Sequence, residues 1–247
     1  PPPPPRPPPR PPPGAAQRRT TPPAAAHAPD PHRPPRKLAL AQGYLRTGQA
    51  DKALALLTGT EEQSIDSSKL LLAAYAESEN EKAAADIAAD MVRIFDKDPD
   101  ALNSAAIYHR RSGDRERARE LYESSLAVNP EYVPTYFELA QLELESENPA
   151  EARRLLDEVL DRDENHLGAL VTLAQLLAKE GDYKGGIRLL ERARDAHSNE
   201  LAPRLLLASY YLNQRDLGAA ESTEMEMAAI GSNEAVVNEV IGNILIE

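Results

Sequence analysis

The sequence contains no cysteine. Disulfides, thiolate zinc sites and a cysteine nucleophile are therefore excluded, while the redox compartment stays open. No apolar run approaches the roughly 20 residues that span a bilayer as a helix. A charged-then-apolar leader is missing as well, and the first residue is Pro1 rather than Met. The start therefore reads as a cut or mis-called end, with any targeting signal expected elsewhere. Basic side chains are scarce over most of the chain. Residues 1–36 hold six Arg against one Asp, a local charge of +5, whereas residues 37–247 hold 22 basic against 39 acidic side chains, or −17. A body that acidic repels phosphate backbones, which argues against nucleic-acid binding. The opening segment alone suits an acidic surface.

Proline is concentrated where acid is missing. Seventeen of the 22 prolines fall within residues 1–36, which begin PPPPPRPPPRPPP. Proline fixes φ and removes amide donors, so this stretch favours extended polyproline II and cannot build a core. Residues 1–33 are read as a disordered proline- and arginine-rich tail. Its functional reading is a ligand for a proline-binding groove or a stiff spacer; its plainer reading is a flank without a role.

The rest of the chain repeats. Ala106, Ala140, Ala174, Ala208 and Gly242 recur at one fixed interval, the step from 106 to 140. Ala118, Ala152, Gly186 and Ala220 keep the same step, as do Leu139, Leu173, Leu207 and Ile241. Within residues 99–132, Leu102, Ala105, Ala106 and His109 share one helical face. Ser112-Gly113-Asp114 then breaks the helix, with Gly113 suited to a left-handed C-cap. A second helix presents Ala118, Leu121, Tyr122, Ser125 and Leu126, and Asn129-Pro130 closes the unit. The paired small residues (Ala41 with Ala53, Ala106 with Ala118, Ala140 with Ala152, Ala174 with Gly186, Ala208 with Ala220) mark where two helices cross too closely for larger side chains. A fixed period of this kind predicts an all-α solenoid of stacked helix pairs.

These residues resemble the tetratricopeptide repeat family, over residues 34–247. Units start near 34, 65, 99, 133, 167 and 201, giving about six repeats plus the first helix of a seventh from 235. The resemblance implies a right-handed superhelix of antiparallel helix pairs. Starts at 34 and 99 lie three residues short of two periods, so the second unit reads as irregular, with its register around Leu72, Ala73 and Tyr75 open by a residue. No unit has the family's usual Trp, and Gly186 and Glu224 are atypical. The runs 129–176 and 199–221 further resemble bacterial PEP-CTERM-system TPR-repeat lipoproteins. That likeness implies envelope protein sorting or exopolysaccharide export, in the periplasm or on the outer membrane. A cytoplasmic place is the alternative, since the lipid-bearing Cys of that family has no counterpart here.

Catalytic patterns are not found. His27, His32, His109, His166 and His197 include no i, i+4 pair for a helical metal site. Glu143, Glu145 and Glu147 read as a solvated acidic face. Gly185-Gly186 lacks the Lys-Ser/Thr of a phosphate loop. No cofactor is expected. The remaining function is protein binding, and the resemblance implies that first helices line a concave face which takes a peptide. On that geometry the face comprises Asn103, Ile107, Arg110 and Arg111; Phe137, Gln141 and Leu144; Val171, Gln175 and Lys179; and Leu205, Ser209, Leu212 and Asn213. The carboxylate clamp of chaperone-binding repeats is not expected, because Leu38 and Gln42 occupy its places. The reading is a noncatalytic interaction scaffold. Its rivals are the recruiting arm of a larger enzyme and a solenoid that self-associates end to end, and residues 235–247, half of a unit, suggest a fragment of a longer array.

Overall fold

In the computed structural model, residues 34–58 and 64–230 are described. The predicted tail and the half-unit from 235 lie outside them. Twelve helices are present among the described residues: α1 (Pro34–Arg46), α2 (Ala50–Leu57), α3 (Ile65–Glu77), α4 (Glu81–Ile94), α5 (Pro99–Arg111), α6 (Arg115–Val128), α7 (Val133–Glu145), α8 (Pro149–Arg162), α9 (Leu167–Lys179), α10 (Tyr183–Ala196), α11 (Ala202–Asn213) and α12 (Leu217–Ala229). They form six antiparallel pairs, each odd-numbered helix packing on the next, and each even-numbered helix then packing on the first helix of the following unit.

The turn inside each unit has one design. In the third unit the Asp114 N–H donates to the His109 carbonyl at 2.9 Å and the Gly113 N–H to the Arg110 carbonyl at 3.1 Å. This is a Schellman closure, which needs a left-handed residue at its centre. That residue is Gly48, Glu79, Gly113, Glu147, Gly181 or Arg215, all with φ between 56° and 88°. The next residue starts the second helix. Asn80, Asp114, Asn148, Asp182 and Asp216 each accept a backbone N–H through the side chain. A single Asn or Asp thus ends one helix and caps its partner.

The small residues sit where the helices cross. Ala41 and Ala53, Ala106 and Ala118, and Ala140 and Ala152 are all fully buried, and Ala208 and Ala220 nearly so. The second unit proves regular: α3 starts one full period before α5, and Leu72 and Ala84 occupy the crossing places. The missing three residues belong to the first unit, whose α2 has only eight residues. Gly186 also finds its reason here. A Cβ on it would lie 2.9 Å from Tyr210 Cε2 and 3.0 Å from the Ala174 carbonyl oxygen. Tyr210, which donates from its hydroxyl to that same carbonyl at 3.3 Å, fills the space that Ala152 uses one unit earlier.

Successive first helices also touch one another, α1 with α3, α3 with α5 and α5 with α7, while among the described residues no two second helices pack to that extent. Closer spacing on one side curves the stack from α1 to α7, where the first helices line the inner face.

Candidate functional site

The inner face opens into a cavity of about 770 Å³ between α3 and α5. Its floor is apolar: Leu72, Ala73 and Ala76 from α3, Ala84 from α4 and Ile107 from α5. Charge stands at the rim, with Glu77 and Glu81 on one side and Arg111 on the other. Both Glu77 and Arg111 are exposed. Small residues at 73 and 76 leave the room that makes the cavity. Apolar floors with a few placed polar groups are the usual form of a binding site.

Ion pairs brace this face. Lys69 Nζ lies 2.8 Å from Asp100 Oδ2, and the Tyr132 hydroxyl donates to Asp100 Oδ1 at 2.9 Å. Asp100 therefore ties α3, α5 and the start of α7 together. Burial, and then the hydrogen bond to that carboxylate, push the Tyr132 phenol well above its ordinary range. Beyond it Arg110 Nη2 reaches Glu138 at 2.9 Å and Nη1 bonds Glu145, again joining α5 to α7. Tyr122 is buried nearby, and burial moves its hydroxyl up to about 12, so it stays neutral at physiological pH.

The predicted residues divide on inspection. Ile107 and Arg111 line the cavity. Gln175, Lys179 and Asn213 are exposed, and Leu144, Val171, Leu205, Ser209 and Leu212 are half-buried. Gln141 donates to Thr172 Oγ1 at 3.4 Å, bridging α7 to α9. Asn103 needs correction: only 4 % of it is exposed, and its side-chain oxygen accepts from Thr135 at 3.0 Å. Thr135 in turn lies 2.8 Å from Ser125 Oγ, which donates to the Pro99 carbonyl at 2.9 Å. Asn103 serves the joint between the third and fourth units. Arg110 is engaged by two carboxylates, and Phe137 lies over α9. A Cβ on Gly168 would come within 2.6 Å of the Phe137 ring, and His166 stacks on that ring with centroids 4.9 Å apart.

Glu143 also departs from expectation. It is 3 % exposed, paired with Arg119 and bonded to Asn148 Nδ2 at 3.0 Å, so it is an inter-unit tie rather than solvated surface. Lys69, Ala73, Ala76 and Glu77 are cavity residues that sequence reasoning missed. They stand one period before Asn103, Ile107, Arg110 and Arg111, so the repeat itself marks them once the second unit is taken as regular.

Among the described residues no group of three His, Asp or Glu side chains is arranged to hold a metal ion, and no helix is long and apolar enough to cross a membrane. His166 Nδ1 accepts the Ala169 N–H at 3.1 Å as the N-cap of α9. His197 Nε2 meets the Asn165 carbonyl at 2.6 Å.

Three family models described as tetratricopeptide repeat match the chain, at residues 35–57, at 109–176 and 143–191, and at 171–235. No curated protein matches it. Among solved structures it is similar to PilF of Pseudomonas aeruginosa, with 17 % identity and a TM-score of 0.62 over 84 % of this chain and 96 % of that one. It is also similar to the APC/C hetero-tetramer Cut9–Hcn1 (18 %, TM-score 0.63), covering 88 % of this chain but 43 % of that one. A thermophilic tetratricopeptide-repeat protein of Thermus thermophilus gives 18 % and 0.59, over 71 % and 97 %. Identities this low establish a shared fold and leave the ligand open.

Proposed function

Because the chain belongs to the tetratricopeptide-repeat family, we propose that it is a noncatalytic scaffold whose first-helix face holds an extended segment of a partner protein. The observation that carries this reading is the cavity between α3 and α5, an apolar floor within a charged rim. A short aliphatic side chain fits the floor, and Glu77, Glu81 and Arg111 provide ionic contacts for the flanking backbone and side chains. Gln175, Lys179 and Asn213 continue the face along the later units. Placement in bacterial envelope sorting or exopolysaccharide export rests only on the resemblance of residues 129–176 and 199–221.

The test is site-directed photocrosslinking in the source cells. A photoreactive side chain at Ala73 or Arg111 should capture a partner polypeptide, while one at the exposed outer position Ala150 should not. The double substitution Ala76→Arg and Arg111→Glu, at exposed positions, should abolish capture without changing the helical circular dichroism. Capture from position 150 alone would place the site on the other face and end this reading.

A further inference from the structure

The last residue of each first helix stands at one register position: Arg46, Glu77, Arg111, Glu145, Lys179 and Asn213 close α1, α3, α5, α7, α9 and α11. From α1 to α9 the charge at this place alternates in sign, and all six side chains are exposed. Exposed charges on a helical stack are ordinarily solvated surface. The first three stand out by what they lack.

A carboxylate at the C-terminal end of a helix opposes the macrodipole. At the end of α7 a cation offsets this, because Glu145 is ion-paired with Arg110 of the preceding first helix. The residue at Arg110's place before Glu77 is Leu45, half-buried in the first unit's apolar cluster, which supplies no charge. Among the described residues the Glu77 side chain has no hydrogen bond or ion pair, and neither have those of Arg46 and Arg111 on the helices beside it. Glu81, which opens α4 on the same rim, has an equally free carboxylate. Lys69, the other cation at the cavity, is already engaged by Asp100 at 2.8 Å. The cation that Glu77 and Glu81 call for must therefore come from a ligand.

Building on the scaffold reading above, we infer that the segment held here is polyproline II in form and carries an acidic, a basic and an acidic side chain at every third residue. These face Arg46, Glu77 and Arg111 in turn. The step follows from two lengths. α1 packs on α3 and α3 on α5, and packed helices lie about 8–10 Å apart. A polyproline II strand has three residues per turn and rises about 3.1 Å for each, so one side of it recurs every ~9 Å. A β-strand repeats its face at about 7 Å and falls out of step. The stem of the basic side chain crosses the apolar floor at Ala73 and Ala76, and its head meets Glu77 and Glu81.

Fluorescence anisotropy on the full chain tests this with two labelled peptides, EPAKPAE and the sign-exchanged KPAEPAK. The chain carries a net charge of −12, so nonspecific attraction favours the second peptide. The expected result is that EPAKPAE binds about tenfold or more tightly, three matched pairs replacing three repulsive ones. Salt of roughly 1 M should erase the difference. The triple substitution Arg46→Glu/Glu77→Arg/Arg111→Glu, at exposed positions, should invert the preference and leave the helical circular dichroism unchanged. Equal binding of the two peptides, binding of neither, or a preference that the triple variant does not alter overturns the inference. Equal affinity for a peptide with the same charges at every second residue overturns the three-residue step. None of these outcomes touches the scaffold reading, because photocrosslinking at Ala73 or Arg111 would still capture a partner of another charge pattern.

Discussion

At the residue scale, one backbone conformation recurs with two kinds of side chain. The Schellman centre is Gly in the first, third and fifth units and Glu79, Glu147 or Arg215 in the second, fourth and sixth. An L-residue in the left-handed region costs roughly 1–2 kcal/mol, partly offset by the greater freedom that Gly loses on folding. A Cβ on Gly113 would meet nothing within 4 Å, so substitution there probes backbone strain alone. Gly113→Ala should lower stability by about 1 kcal/mol in a urea titration, and Glu147→Gly should be neutral or stabilising by up to about 1 kcal/mol. Equal losses from both would disprove the shared conformation. His166 supplies a second residue-scale test. Burial holds its pKa below the ordinary histidine value, with Asp163 opposing, and its Nδ1 lone pair caps α9. A folded pKa below the unfolded one means that the unfolded chain binds the proton more readily. Stability is thus full above the unfolded value of about 6.5 and falls as pH drops through it. His109 shifts the same way, again chiefly through burial. The thermal midpoint should fall between about pH 7 and pH 5, and His166→Asn, which caps without titrating, should flatten that slope. An unchanged slope would show that His166 contributes nothing to it.

At the element scale, the helix pair is the unit of packing and its crossing tolerates little volume. Ala140 is fully buried against the second helix of its unit, while Ala150, one residue into α8, is exposed. Ala140→Leu should cost roughly 1–3 kcal/mol through overpacking, and Ala150→Leu no more than about 0.5 kcal/mol. Similar denaturation midpoints for the two would refute the crossing register. That register was legible in the sequence because the constraint acts identically in every unit and so recurs once per period. Contacts between units were less legible. Asn103 is replaced by Lys69, Phe137, Val171 and Leu205 at its equivalent places, and Glu143 by Tyr75, His109, Leu177 and Tyr211. No repeated residue type announces that these two are buried. Each is satisfied by a partner peculiar to its own joint, Thr135 for Asn103 and Arg119 for Glu143. The α3 half of the cavity was lost because the three-residue deficit was assigned to the second unit, when it lies in the short α2.

At the scale of the whole molecule, the stack is a one-dimensional object with an uneven core. A continuous set of buried side chains runs from Leu72 to Leu176, through α3 to α9. Smaller clusters close the ends: Ala41, Ala53, Leu57 and Ala74 at the start, and Ala208 with Met227 at the finish. In such arrays each unit is stabilised by its neighbours, so the middle is protected from both sides and the ends from one. Leu57 and Leu156 are equally buried, at 1 % and 0 % exposure, and truncating either to Ala removes a similar side chain at about 2–5 kcal/mol. The consequences should differ. In the first unit that loss exceeds what one small cluster and an eight-residue α2 can absorb. Leu57→Ala should therefore detach α1 and α2 in a separate early transition, with the main thermal midpoint little changed and fast exchange confined to residues 36–57. Leu156→Ala lies within the continuous core and should lower the main transition itself, with protection falling across α5 to α9 together. A single cooperative transition lowered equally by both substitutions would mean that coupling between units dominates over their own stability, and that the ends are held as firmly as the centre.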